Sequence, residues 1–378
     1  MSRLFNTADI LIPVESTDMN KWSVVACDQH SSEPEYWDEL DRFIGEAPST
    51  LRLMLPEAYL DRDIDLEQRK INNRMDEYLE GGVFRTIEDS FIFVERTLAD
   101  GRVRKGLVGA INLDEYDYSA SSTSLIRATE GTVEERLPAR VKIRNAASIE
   151  MPHVMVFIDD RQNELFDALS ELSSGGELET LYDFELNMGG GHIKGSRVSG
   201  KAAKEADEIL CHIETSCIDH SFSGVPVVMA IGDGNHSLAT AKKCGAHSAL
   251  VELVNIYDDA IDFQPIHRVV FNTEKEGFDE GVKALGLENI SSYAEKIRKA
   301  EAFCQGYVKE HGGYVDYIHN DETALEMGSR EGNAALLLPA LNKEELFPGV
   351  EKDGAFPKKS FSIGHAADKR YYLECAKI

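Results

Sequence analysis

The stretch Val225-Pro226-Val227-Val228-Met229-Ala230-Ile231-Gly232-Asp233-Gly234-Asn235-His236-Ser237 decides how the middle of this chain folds. Its first seven residues form a continuous apolar run rich in valine, which predicts a buried β-strand over 225–231. A short polar turn follows, and residues 238–243 continue as a helix. The sequence therefore predicts a strand, a sharp turn and a helix in succession.

The turn over 232–237 is suited to binding a phosphate group. Gly232 and Gly234 let the backbone turn tightly and let a ligand approach it. The helix that begins there offers unpaired N–H groups and the positive end of its dipole. His236 and Ser237 can add side-chain donors. The same residues also fit an ordinary helix cap that serves only the turn, and spacing alone does not decide between the two.

Elements on both sides of this turn mix helices with strands. A hairpin is predicted over 90–111, around Asp100-Gly101. The predicted helices cover 32–46, 65–79, 133–147, 163–172, 201–213, 277–285 and 293–310. The other predicted strands cover 22–27, 153–158, 180–198 as a pair, 248–256, 313–318, 334–338 and 369–375. This order predicts a mixed α/β (α+β) fold.

A chain of 378 residues is long enough for two or three packed units. We expect an N-terminal α/β lobe over 1–150 that contributes to the site. A core over 151–275 carries the phosphate-binding turn, and a C-terminal α/β lobe covers 276–378.

The formal net charge of −27 disfavours nucleic acid and anionic membranes as partners. A nucleotide is still compatible with it, because Mg²⁺ can supply the missing positive charge. The six cysteines form no Cys-x-x-Cys pair, which indicates reduced thiols in the cytoplasm. The first residues lack the apolar core of a signal peptide, and no apolar run approaches the roughly 20 residues of a membrane helix. We expect a cytoplasmic protein.

The Asp-Gly-x-His segment between strand and helix resembles the Gly-x-His-Arg type loop of the ParB/sulfiredoxin superfamily, which holds nucleotide phosphates. The whole chain resembles the domain-of-unknown-function family ten-fifteen, whose loop reads Ala-Asp-Gly-His-His-Arg. Here Asn235 replaces the first histidine and Ser237 replaces the arginine, which removes a phosphate-binding cation. The further matching segments are Asp28 after the first strand, Leu125–Thr132 with Glu134–Arg136, Pro265–Arg268 and Pro357–Ser360.

The resemblance implies a ParB/sulfiredoxin-like core and an activity like that of kinases that convert free L-serine to O-phospho-L-serine. Phosphoryl transfer needs a carboxylate near the attacking oxygen and cations around the phosphates. Asp28 and Glu130 are the candidate bases, and Asp233 is the candidate ligand of Mg²⁺ and third catalytic residue. The nucleotide- or phosphate-binding candidates are Arg127, Thr132, Arg136, Gly232, Gly234, Asn235, His236, Ser237, His267 and Arg268.

Simpler interpretations stay open for some of these residues. Asp28 can be a turn-forming aspartate, and His267 can end a strand in a polar pair. Arg140 and Arg144 continue from Arg136 at helical spacing and fit a solvated, salt-bridged helix.

Taken together, the residues and the resemblance predict a Mg²⁺-dependent small-molecule kinase that uses ATP or ADP and accepts free L-serine. A nucleotide-binding regulator without turnover is the alternative, and a phosphoserine-directed hydrolase is a weaker one. The expected partners are an amino acid and a nucleotide. The sequence leaves the formation of a homo-oligomer open.

Overall fold

The computed structural model describes residues 4–131, 137–364 and 366–378, and it has the predicted mixed α/β fold. In chain order the strands are β1 (Phe5–Asn6), β2 (Ala8–Pro13), β3 (Val24–Val25), β4 (Phe84–Thr97), β5 (Val103–Asn112), β6 (Tyr116–Asp117), β7 (Ile126–Ala128), β8 (Ile149–Glu150), β9 (Met155–Ile158), β10 (Glu179–Glu185), β11 (His192–Val198), β12 (Met229–Asp233), β13 (Ser248–Asn255), β14 (Phe263–Phe271), β15 (Tyr314–His319), β16 (Ala334–Leu336), β17 (Phe361–Ile363), β18 (Tyr371–Tyr372) and β19 (Ala376–Lys377).

The α-helices are α1 (Met19–Trp22), α2 (Pro34–Ile44), α3 (Ile64–Glu80), α4 (Leu137–Arg144), α5 (Glu164–Ser174), α6 (Gly200–Asp219), α7 (Asn235–Lys243), α8 (Phe278–Ala284), α9 (Tyr293–His311), α10 (Asp321–Ser329) and α11 (Lys343–Asp353). Single turns of 3₁₀-helix cover Thr50–Leu53, Glu57–Tyr59, Leu113–Glu115, Leu287–Asn289 and Ala366–Asp368.

One large mixed sheet forms the centre of the molecule, in the order β10-β11-β4-β5-β13-β9-β12-β7-β6, with β1 beside β5 and β2 beside β4. β4 and β5 form the predicted antiparallel hairpin, in which Arg96 pairs with Arg104. β12 is parallel to β7 and antiparallel to β9. The buried strand predicted before the phosphate-binding turn is therefore an inner strand of this sheet.

The last third of the chain builds a second, antiparallel sheet in which β14 pairs with β15, β16 and β17. β14 was not predicted, because its alternation is interrupted by Pro265 and the polar pair His267-Arg268. The predicted strand over 369–375 is only the two residues of β18, which pair with β3 near the start of the chain. The C-terminal segment thus returns to the N-terminal part of the molecule.

Three hydrophobic clusters hold these layers together. One packs α2, α3 and β18 against the sheet around Trp22 and Trp37, and a second packs α5, α6 and α7 against it around Phe93. The third packs α9 and α11 around Phe278 and also contains Phe157 of β9. Strands from 1–150 and 151–275 pair within one sheet, whereas the boundaries at 150 and 275 stay a prediction.

Several predicted helices match in place but not in length. The helix predicted over 201–213 runs on to residue 219, because Cys217, one turn beyond Ile213, continues the apolar face and packs against the second cluster. Of the helix predicted over 133–147 the structure describes residues 137–147, and α4 ends at Arg144, so the prediction ran three residues too far. All six cysteines are free thiols. No helix in the described ranges is long and apolar enough to cross a membrane.

Candidate active site

The candidate site lies at one edge of the central sheet, where five segments of the chain meet. β7 and β12 are parallel, so Glu130, two residues beyond β7, and Asp233, the last residue of β12, reach the same edge. The hydroxyl of Thr129 donates to the carbonyl of Ile231 at 2.6 Å and ties these two ends together. β9 is antiparallel to β12, so His153, just before β9, lies there as well.

The N- and C-terminal parts of the chain contribute two more groups to this edge. β3 and β18 are antiparallel, with Val25 opposite Tyr371. Asp28 follows β3 and Lys369 precedes β18, so both lie at the same end of this pair. Asp28, Glu130 and Asp233, the three residues predicted to be catalytic, therefore approach one edge from distant parts of the chain.

The turn between β12 and α7 is built around Gly234, which has a φ of +79°. A Cβ at this position would lie 2.9 Å from Cγ2 of Val154, so the turn needs glycine for its conformation and for its close contact. The Gly234 N–H donates to Oδ1 of Asp233 at 2.8 Å. α7 begins at the next residue, Asn235, and its N-terminus faces this edge as predicted from the sequence.

The side chains of the first turn of α7 differ in their surroundings. His236 and Ser237 are half-buried. Oδ1 of Asn235 is buried and, among the described residues, has no hydrogen-bond partner. A buried acceptor without a donor is unfavourable, so this amide is suited to a ligand that brings an N–H or O–H group.

Lys369 provides a cation that sequence reasoning missed. Its Nζ lies 3.0 Å from Oδ2 of Asp233, and the two side chains are 10% and 20% exposed. Its charge also acts to lower the pKa of Asp28, so the lysine lies near both carboxylates. No local motif marks this lysine, because its partner is 136 positions away in sequence.

Glu130 has the pKa of a group suited to proton transfer near neutral pH. Burial raises its pKa from 4.5 to about 7, and the nearby charge of Asp233 acts in the same direction. Hydrogen bonds from the N–H groups of Ser360 and Phe361 and the charge of Lys359 act against this rise. The Ser360 N–H donates to Oε1 of Glu130 at 3.1 Å, so the matching segment Pro357–Ser360 covers this carboxylate.

The carboxyl group of Asp28 is in a different electrostatic state. Burial acts to raise its pKa, but His153, a hydrogen bond from Gln29 and the charges of Lys369 and Arg140 together lower it. Nε2 of His153 lies 4.0 Å from Oδ2 of Asp28. The hydroxyl of Tyr372 lies 2.7 Å from Nδ1 of the same ring and fixes its orientation. Asp28 therefore stays ionised at neutral pH, whereas Glu130 titrates there.

A cavity of about 160 Å³ opens beside this edge. Its polar lining includes Ser237, His153 and Arg140, and its apolar lining includes Met54 and Met75. A larger open groove of about 920 Å³ lies near Thr7 and Lys377, and no described candidate residue lines it. The smaller cavity adjoins the candidate site through Ser237, in the first turn of α7, and through His153, whose ring faces Asp28. Asp28, Glu130, Asp233 and Lys369 do not line it.

Arg127 is not brought to this edge. Its guanidinium donates to the carbonyls of Ser124, Val225 and Pro226 at 2.7, 2.8 and 3.0 Å. Val225 and Pro226 precede β12, whereas Asp233 ends it. The residue is 3% exposed. Its donors hold the entry to β12 and do not face a phosphate at the turn.

His267 and Arg268 are also buried, and their hydrogen bonds go to groups other than the turn, although Nη2 of Arg268 has no partner among the described residues. Nδ1 of His267 accepts from the Leu338 N–H at 3.1 Å, so its Nε2 faces Asp321 at 2.9 Å. Arg268 donates to Glu301 at 2.8 Å and to the carbonyl of Lys359 at 2.9 Å. Arg268 thus supports the segment that covers Glu130, and it reaches the site only through that segment. Thr132 and Arg136 lie outside the described residues.

The donor set at the turn suits a magnesium ion shared with phosphates. Among the described residues, no three His, Cys, Asp or Glu side chains are grouped closely enough to hold a metal ion. Mg²⁺ commonly takes only one or two protein carboxylates and completes its shell with waters and substrate phosphates. Asp233, at the turn before α7, fits this second kind of site.

A family model described as "Protein of unknown function (DUF1015)" matches residues 11–373. No curated protein matches the chain. A solved structure of a conserved hypothetical protein from Pyrococcus furiosus is 11% identical, with a TM-score of 0.35, over 71% of this chain and 94% of its own.

Two solved structures of free serine kinase are similar at the same level. The complex with AMP is 12% identical, with a TM-score of 0.37, over 70% of this chain and 90% of its own. A variant in complex with ADP is 12% identical, with a TM-score of 0.38, over 72% of this chain and 92% of its own. TM-scores this low assign no function to this chain.

Proposed function

We propose, for a chain that belongs to the DUF1015 family of proteins of unknown function, that it is a nucleotide-dependent small-molecule kinase with free L-serine as its acceptor. One observation carries this proposal: Glu130 and Asp233 end two parallel strands at one edge, beside the N-terminus of α7. A carboxylate pair next to a helix N-terminus combines a base with a phosphate-binding group. The ParB/sulfiredoxin-like core remains part of the same proposal.

The reaction assigns one role to each group. The N–H groups at the start of α7 bind the phosphates of ATP or ADP. The acceptor hydroxyl oxygen attacks the terminal phosphorus, and the bond from phosphorus to the bridging oxygen breaks. The electron pair leaves with ADP or AMP, and the hydroxyl proton passes to a carboxylate. The products are O-phospho-L-serine and the shortened nucleotide.

Of the two candidate bases, Glu130 is the better supported. A general base works best when its pKa lies near the operating pH, and burial brings the pKa of Glu130 to about 7. Asp28 has a lowered pKa and stays ionised, which makes it the weaker proton acceptor. An ionised carboxylate at this position is suited to the ammonium group of an amino acid.

Asp233 would hold Mg²⁺ together with the phosphates of the nucleotide, and Glu130 stays free to act as the base. When bound, the ion would neutralise the charge of the phosphate oxygens. Asp233 also orients the turn through the Gly234 N–H, so its side chain has a role in the protein without the ion.

The test is product formation from defined pairs of substrates. The purified protein is incubated with Mg²⁺, a panel of amino and hydroxy acids, and either ATP or ADP, and phosphorylated products are detected by mass spectrometry. We expect O-phosphoserine from one nucleotide, and its loss in Asp233→Ala. Asp61→Ala is the matched control, because it removes an equal charge from an exposed position.

A nucleotide-binding regulator is the second candidate, and the serine at position 237 in place of the family's arginine favours it. Binding of nucleotide by calorimetry without product from any pair would support the regulator and contradict the kinase. Release of free phosphate from O-phosphoserine without added nucleotide would instead indicate the hydrolase.

A further inference from the structure

The turn between β12 and α7 has no arginine, yet a phosphoryl-transfer site needs positive charge next to the transferred group. We infer that Lys369 supplies this cation, and that Arg96 and Arg104 are positioning residues that fix it. The inference rests on the proposed function, because it requires a phosphate at the turn.

Lys369 has donors left for a phosphate. An ammonium group carries three N–H donors. Among the described residues, Asp233 is the one hydrogen-bond acceptor of Nζ, at 3.0 Å. The side chain is 10% exposed, so a ligand can reach it although most of its surface is buried. Two donors can therefore face a ligand at the N-terminus of α7.

Three consecutive backbone carbonyls, those of residues 368–370, each accept a hydrogen bond that holds the backbone around Lys369 in place. The guanidinium of Arg104 donates to the carbonyl of Asp368 at 2.7 Å, and that of Arg96 donates to the carbonyl of Lys369 at 3.2 Å. The N–H of Ala26 donates to the carbonyl of Arg370 at 3.1 Å. These groups come from β5, β4 and the segment after β3, so the central sheet sets the position of the lysine.

Arg96 is itself held rigidly. Its Nε and Nη2 both donate to the carbonyl of Gly190, at 3.0 and 2.6 Å. Its guanidinium also lies 4.8 Å from the ring centre of Tyr371, a cation–π contact. The residue is 1% exposed. A buried arginine with several fixed contacts holds a backbone carbonyl more precisely than a surface side chain does.

The residue after Lys369 anchors the same segment from the other side. The guanidinium of Arg370 donates to Glu252 at 3.1 Å and to Glu374 at 2.6 Å. The side chains of all three residues are at most 3% exposed. A second lysine, Lys359, also lies near Glu130, but its side chain is exposed. Lys369 is the pre-positioned cation of the two, which suits a role in transition-state stabilisation.

The first experiment compares ligands that do and do not carry phosphates. Binding of ADP, tripolyphosphate and adenosine is measured by calorimetry for the wild type, Lys369→Gln and Lys369→Arg. We expect Lys369→Gln to weaken the binding of ADP and of tripolyphosphate by about 10- to 100-fold, which is the range for loss of a hydrogen bond to a charged group. The affinity for adenosine should not change. Lys369→Arg keeps the charge and should recover part of the loss. The matched control is Lys352→Gln, an exposed lysine on α11.

The second experiment tests positioning. Arg96→Lys keeps the charge but cannot make all three hydrogen bonds to the carbonyls of Gly190 and Lys369. It should therefore weaken the binding of tripolyphosphate by about tenfold. If Arg96 acts through Lys369, adding Arg96→Lys to Lys369→Gln should cause no further loss. Thermal unfolding checks that each variant folds, and Arg104→Lys, on the neighbouring carbonyl, replaces Arg96→Lys if that variant does not.

The outcomes separate this inference from the proposed function. A wild type that binds and turns over nucleotide, with Lys369→Gln equal to it, overturns the role of Lys369 alone. Losses that simply add in the double variant overturn the positioning role. A wild type that binds neither ADP nor tripolyphosphate overturns both the proposed function and this inference.

Discussion

Nζ of Lys369 lies 3.0 Å from Oδ2 of Asp233, across 136 positions of sequence, in a pair that is largely shielded from water. Removal of one partner from such a pair leaves the other charge uncompensated. The pair therefore contributes to the stability of the protein as well as to the proposed chemistry, and the two contributions can be measured separately.

Asp233→Asn should lower the free energy of unfolding by about 1–3 kcal/mol, because it leaves Lys369 without its carboxylate. Lys369→Gln should cost a similar amount. The double variant should cost less than the two single variants added together, which urea unfolding will measure. Strict additivity would mean that the two side chains do not interact in solution.

The kinase activity should rise with pH through about 7 and then level off. Glu130 must be ionised to accept the proton, and burial raises its pKa to about 7. The profile of kcat/KM against pH checks this. Glu130→Gln should lower the activity and remove the rise of kcat/KM near pH 7. If the rise is unchanged in that variant, another group is responsible for the titration.

The same carboxyl group should make stability depend on pH. Since its pKa is about 7 in the folded protein and near 4.5 in the unfolded chain, the folded state binds more protons between these values. Stability is therefore lost as pH rises from 4.5 to 7. Glu130→Gln should unfold less readily than the wild type at pH 8, by up to about 3 kcal/mol, and the gain should vanish at pH 4. A gain of equal size at both pH values would contradict the raised pKa.

Gly234→Ala should destabilise the protein more than Gly245→Ala. Both glycines have a φ near +80°, so both substitutions cost about 1 kcal/mol for the backbone conformation. A Cβ at 234 would also press on Val154 at 2.9 Å, whereas a Cβ at 245 meets nothing within 4 Å. The difference between the two melting temperatures isolates the contact at the turn, and equal values would mean that Val154 yields without cost.

Arg127→Lys should reduce stability by about 2–3 kcal/mol and leave nucleotide affinity unchanged, because the guanidinium binds carbonyls before β12 and not the turn. Chemical unfolding and calorimetry measure the two quantities independently. A large loss of affinity in a folded variant would return Arg127 to the phosphate-binding set.

The sequence predicted the mixed fold well where periodicity is strong. The hairpin of β4 and β5, the apolar run of β12 and the glycine turn before α7 all have local signals, and the structure contains each of them. β14 and β18 have weak ones, because Pro265 interrupts the first and the second is only two residues long. Such strands depend on pairing with distant segments, which local pattern cannot report.

The residues of the candidate site could likewise be predicted only where a local signal in the sequence marks them. Asp28, Glu130 and Asp233 could be selected because each follows a predicted strand or lies in a matching segment. Arg127 was selected because it lies in a matching segment and its planar donors suit a phosphate, but a buried arginine serves backbone carbonyls as readily as a phosphate. Lys369 has no motif around it, and its role depends on a contact with Asp233 that exists only in the folded chain.

The long return of residues 357–375 to the first strands also sets an order in time. Glu130 is covered by Ser360, and Asp233 meets Lys369, only after synthesis has passed residues 360 and 369. A ribosome-bound chain that has reached residue 350 can pair β4 with β5 but cannot assemble this edge. We therefore expect stalled chains of that length to be inactive and more readily cleaved by protease than chains that extend past residue 375. Synthesis itself would delay assembly of the candidate site until residues 357–375 have emerged.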